Sequence, residues 1–73
     1  MNEILDTLNN YQANKSQHDW ERLGKIYQER IHMTKRVINR LAGYHNINVK
    51  VKIALARALT FDELREIINE NIN

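Results

Sequence analysis

The side chains of this chain that could do chemistry are mostly cationic, and they gather in its middle. Residues 22–57 hold Arg22, Lys25, Arg30, Lys35, Arg36, Arg40, Lys50, Lys52 and Arg57 against a single acid, Glu29, a net +8. Residues 1–21 and residues 58–73 each carry −3, so the modest total of +2 conceals a basic centre between acidic ends. Such a layout predicts a surface for a polyanion, or a protein with two electrically different faces. The competing reading is a solvated helix face balanced by intramolecular ion pairs, with Arg57 pairing to the acidic last segment and Arg30 snorkelling or pairing with an acid from a terminal helix.

Other chemistry is thinly represented. The chain has no cysteine, hence no thiolate nucleophile, disulfide or thiolate metal site. It has no glycine-rich phosphate loop and no Gly-x-Ser-x-Gly turn. His18, His32 and His45 stand 14 and 13 residues apart, which is not metal-ligand spacing on a helix. Glu63, Glu66 and Glu70 read as the solvent side of a helix before they read as an acid/base pair. The expectation is a non-enzyme without catalytic residues, metal or cofactor.

The elements that must position the bases are helical. The 73 residues include no proline and two glycines, which favours helix over a turn-rich β fold. That length predicts one domain, 1–73, with a core small enough that a homodimer would be a natural remedy. No apolar run reaches the ~20 residues of a membrane span. A cytoplasmic protein with no membrane partner is expected.

Ile4, Leu5, Leu8 and Tyr11 predict a short amphipathic helix over 2–13, followed by a turn at 14–17 with Asn14 or Ser16 as N-cap. From His18 the helical period resumes. Trp20, Leu23, Tyr27, Ile31, Ile38 and Leu41 share one side; Ile26, Met33 and Val37 widen that stripe. Arg22, Lys25, Glu29, His32, Arg36 and Arg40 lie opposite. Residues 18–42 form one long helix, or two with a break near His32-Met33 and Thr34 as cap; the poor interior propensity of Thr favours the break. Gly43 ends the segment in the left-handed conformation.

Residues 47–53 alternate as a strand would, and a two-fold dimer could pair that strand with its copy. Ala54, Leu55, Ala56, Ala58 and Leu59 favour one helix from about Asn48 to Leu59 instead. Thr60-Phe-Asp-Glu63 fits a capping box and opens a last helix with Leu64, Ile67, Ile68 and Ile72 inward. The fold class is all-α, a small compact bundle of four to five helices. Its expected core is Trp20, Leu23, Tyr27, Ile31, Ile38, Leu41, Leu55, Leu59, Leu64 and Ile67.

The segment Met33-Thr-Lys-Arg-Val-Ile-Asn-Arg-Leu-Ala-Gly43 resembles the second helix of the phage-repressor (Cro-like) helix-turn-helix family. Leu23-Gly-Lys-Ile26 resembles that family's first helix. Ile53-Ala-Leu-Ala-Arg-Ala-Leu59 with Thr60-Phe-Asp-Glu-Leu64 resembles its closing helices. Two features depart from the family: Asn39 stands where a small residue is usual, and Tyr44 to Lys52 is too short for a recognition helix and a further helix. The resemblance implies a helix-turn-helix core and a small DNA-binding transcriptional regulator, of the kind found in phages and mobile elements. With Asn46–Leu59 as recognition helix, His45, Asn46, Asn48, Lys50 and Lys52 would approach the bases of double-stranded DNA, and Arg36 and Arg40 its backbone. The alternative is a protein-binding modulator, an antirepressor or inhibitor, that targets a repressor or nucleic-acid enzyme through the same bases or through Val49, Val51 and Ile53.

Overall fold

A computed structural model describes residues 2–72. It is all-α, with five helices in order: α1 (Glu3–Gln12), α2 (Gln17–Glu21), α3 (Lys25–Tyr44), α4 (Val49–Arg57) and α5 (Phe61–Asn71). Side-chain oxygens cap the starts of four. Asn2 Oδ1 accepts from the Leu5 N–H, Ser16 Oγ from Asp19, Asn48 Oδ1 from Lys50 and Thr60 Oγ1 from Glu63. Each satisfies an amide that has no partner within its own helix. At α5 the reciprocal bond reaches one residue further back than a capping box prescribes: Glu63 Oε2 accepts from the Leu59 N–H at 2.9 Å.

The middle of the chain departs from expectation in three places, each for a local reason. The helix that resumes near His18 stops at Glu21, and Gly24, at φ +52°, starts a new one. From Lys25 to Tyr44 the helix is then continuous, without a break at His32-Met33. Thr34 is fully buried, and its hydroxyl donates to the Arg30 carbonyl at 2.7 Å. That back-bond satisfies the hydroxyl within the helix, so Thr34 packs rather than caps. Gly43 lies inside α3, and Asn46, at φ +54°, supplies the left-handed residue. The Ile47 N–H bonds the Ala42 carbonyl and the Asn46 N–H bonds that of Gly43, a Schellman ending that tucks Ile47 against the core. Residues 47–53 are not a strand: Val49 onward is helix.

α1 packs on α3 and α5, and α4 packs on the same two helices, so α3 and α5 occupy opposite corners of a four-helix ring. The centre is Ile4, Leu8, Trp20, Tyr27, Ile31, Ile38, Leu55, Phe61, Leu64 and Ile68, all buried. Trp20, Tyr27 and Phe61 form a triangle of tilted rings with centroids 5.4–6.0 Å apart, an arrangement that aromatic quadrupoles favour. The Trp20 indole N–H donates to the Gln12 carbonyl at 2.8 Å, and the Tyr27 hydroxyl accepts from the buried Phe61 N–H at 3.0 Å. This cluster ties α2, α3 and α5 together.

Two expected core residues are outside. Leu23 falls in the joint between α2 and α3, and Leu59 follows the extended Ala58 and is 71% exposed. In both cases the helical period lapses before the residue is reached. Leu41 and Ile67 are half-buried at the edge of the core. No helix among the described residues is long and apolar enough to cross a membrane.

Candidate functional site

The outer side of α3 forms one wall of an open groove of about 450 Å³. His32, Lys35, Arg36, Asn39 and Arg40 line it, at the i, i+3, i+4, i+7, i+8 spacing that puts them on one helical stripe. Ala56 of α4 forms the opposite wall. Lys52, one turn before Ala56, extends the cationic lining: its ammonium lies 3.9 Å from where a Cβ on Gly43 would sit, so it lies over the end of the same α3 stripe. Helix α3 can present this stripe because its other side is fixed by Tyr27, Ile31, Thr34, Ile38 and Ala42 in the core.

The acidic ends form no salt bridge with the lysines and arginines of the basic centre among the described residues. Their one close contact is His45 Nε2 to Glu3 Oε2 at 3.0 Å, ionic when the imidazole is protonated. Arg36, Arg40, Lys50, Lys52 and Arg57 have no such partner among the described residues, which corrects the expected pairing of Arg57 with the last helix. Arg30 stacks its guanidinium over the Trp20 ring at 5.3 Å instead of meeting an acid. Arg65, the base of α5, is held by the side chains of Asn9 and Gln12. The acids of α5 make no salt bridge to the basic centre among the described residues.

Three of the bases, Lys25, Lys50 and Lys52, sit where helix electrostatics disfavours a cation. The first turns of α3 and α4 contain no acid, and they begin with Lys25 and with Lys50 and Lys52. A helix N-terminus carries roughly half a positive charge, so a cation there costs about 0.3–1 kcal/mol. α1 and α5 follow the opposite, stabilising rule, with Glu3 and Asp6 in one first turn and Asp62 and Glu63 in the other.

The seven residues singled out from sequence therefore divide. Arg36, Arg40 and Lys52 converge on the groove. Lys50 is exposed but lies about 200° around α4 from Lys52, on the outer ridge. His45, Asn46 and Asn48 have structural roles: the Glu3 contact, the left-handed turn and the cap of α4. Of the apolar trio on α4, Val49 and Ile53 are exposed, whereas Val51 packs against the core.

Sequence reasoning passed over Lys35 and Asn39, although their spacing to Arg36 and Arg40 was legible. It also misplaced Ile26 and Met33, which are more than half exposed and belong to a second stripe, not to the widened core. The segments resembling the first and second repressor helices, Leu23–Ile26 and Met33–Gly43, have no turn between them; the short turns flanking α3 are residues 22–24 and His45–Asn48. Set beside known proteins, the chain matches no family model, no curated relative and no solved structure.

Proposed function

We propose that this protein is a small DNA-binding regulator that engages the duplex through the outer stripe of α3 and the adjoining flank of α4. The observation that carries the reading is the cationic groove: Lys35, Arg36, Arg40 and Lys52 gather, and none of them makes a salt bridge among the described residues. Four like charges on one surface repel one another, and Lys52 also stands in the first turn of α4, so their gathering is better explained by an anionic partner than by the fold. Arg36 and Arg40 suit phosphate or guanine, and Asn39 between them suits the paired donor and acceptor of adenine. A regulatory role in a phage or mobile element is what the sequence resemblance to phage repressors implies; the groove itself speaks only for a polyanion. In this reading the base-facing residues move from the His45–Asn48 turn, whose polar groups hold the backbone, to the middle of α3.

The test is a titration with duplex DNA at two salt concentrations. Log affinity should fall linearly with log salt, and replacing Arg36 and Arg40 together with Gln should flatten that slope by about two units across all sequences. Glu66→Gln on the opposite corner should leave it unchanged. Absence of binding at low salt would sink the proposal. It would favour a protein-binding modulator, an antirepressor or inhibitor, for which the ridge of Val49, Lys50, Ile53 and Arg57 on α4 offers exposed apolar and basic groups together.

A further inference from the structure

The long helix α3 carries two apolar stripes, and only one is used by the fold. The second consists of Ile26, Met33, Val37 and Tyr44. Ile26 is 59% exposed, Met33 53% and Tyr44 76%, with Val37 half-buried. Their separations of 7, 4 and 7 residues keep them on one line along a 3.6-residue helix, a ridge about 27 Å long. Glu29 and Arg40 occupy the intervening turns beside this line, so exposed apolar groups alternate with charges along it, a mixture suited to a contact surface.

We propose that this ridge is the contact face for a second copy of the same chain, packed antiparallel about a two-fold axis near residue 35. Two features select that occupant. The 7-4-7 spacing reads the same from either end, so an antiparallel copy sets Ile26 against the partner's Tyr44 and Met33 against the partner's Val37, without a gap. Charge then selects the orientation. Glu29 is the one acid of α3. A two-fold axis perpendicular to both helices keeps flanking residues on their own side of the ridge. It carries Glu29 to the level of the partner's Arg40, forming two complementary pairs per dimer. A parallel copy would instead align Glu29 with the partner's Glu29 and Arg40 with the partner's Arg40.

A contact limited to one helix ridge lies near the low end of stable interfaces, roughly 1,200 Å² in total, the size class of weak and transient association. It would also supply apolar burial to a domain with a small core. The dimer does not rest on the DNA reading. If both hold, Arg40 belongs to the seam, and the same symmetry places the two α3–α4 grooves, with Lys35, Arg36 and Lys52, on one side of the dimer, where a pseudo-palindromic duplex can meet both.

The experiment is sedimentation of the full chain from about 1 µM to about 1 mM, a range that covers weak association. The mass should rise from 8.7 kDa towards twice that value. Met33→Glu, on a half-exposed site, should weaken association more than about tenfold with an unchanged helical spectrum. Because the chain lacks cysteine, orientation can be read directly. Ile26→Cys and Tyr44→Cys chains, mixed and oxidised, should cross-link to one another and neither to itself. A chain that remains monomeric to about 1 mM, a Met33→Glu dimer as tight as the parent, or Ile26→Cys chains that cross-link to themselves would each overturn the proposal. The two readings fail separately. A monomer that binds DNA removes the dimer alone, and a dimer that ignores DNA at low salt removes the DNA reading alone.

Discussion

Helices α3 and α5 stand at opposite corners of the bundle and place their surface residues by opposite rules. In α5, Phe61, Leu64 and Ile68 are buried, Asp62 and Glu63 sit in the first turn, and the remaining surface is polar. The cap, first turn and inward stripe of that helix serve its own stability, and only Glu70, in the last turn, runs against the dipole. In α3 the inward stripe is equally complete, but the outer side keeps a basic groove without acids and an apolar ridge without cover. A residue whose placement the fold does not reward is better explained by something outside the fold. Under the proposed reading, α3 with the start of α4 is the working side of the molecule and α5 its support.

The contrast can be tested most strongly at the joint between the two helices. Trp20 touches Tyr27 of α3 and Phe61 of α5 and is 2% exposed. Trp20→Ala should destabilise by about 3–5 kcal/mol, because it removes a large side chain from a packed site and leaves a cavity. In a domain with only ~5–15 kcal/mol to spare, that loss approaches global unfolding. Urea denaturation followed by circular dichroism reads it. A loss below about 1 kcal/mol would mean that α3 and α5 are not joined through Trp20.

A smaller effect should appear at the start of the supporting helix. Thr60→Ala removes the hydroxyl that accepts from the Glu63 N–H at 3.0 Å, and should cost about 1 kcal/mol. DNA affinity should be unaffected wherever the variant is folded, since α5 lies away from the groove. A loss of DNA binding in folded Thr60→Ala protein would break the division into working and supporting corners.

The smallest effect is expected on the outer ridge of α3. Met33→Gln should change the stability of the monomer by no more than about 0.5 kcal/mol, as for other exposed sites without a structural role. The same change on the inward stripe, at Ile38, would place an unpaired amide in the core. A costly Met33→Gln, measured at monomeric concentration, would show that the ridge already belongs to the core and is not a free surface.

What the sequence determined by itself is what local physics controls. The absence of proline and the 3.6-residue apolar period specify helices, and the short polar residues Ser16 and Thr60 start two of them through side-chain caps. The separation of charge along the chain is also visible without a structure, as is the alignment of Arg36 with Arg40 one turn later. A local rule can also mislead. Thr34 looks like a cap because threonine is a poor interior residue, yet its hydroxyl is satisfied by Arg30 and its environment by the core. Gly43 looks like the end of a helix, yet Asn46 takes the left-handed turn.

Only the tertiary structure decided which of the two apolar stripes on α3 faces inward. Ile31 and Ile38 are buried and Ile26 and Met33 exposed, although all four are apolar and helical. Periodicity specifies the angle of a residue around its helix, but not the side on which neighbouring helices lie. That side is set by contacts distant in sequence: Ile4 and Leu8 from α1, and Phe61, Leu64 and Ile68 from α5. The same packing turned Lys52 and Ala56 towards α3, left Lys50 on the outside, and assembled the groove from residues 32–56. A groove requires two walls, and the relative position of two helices is not encoded in the pattern of either one.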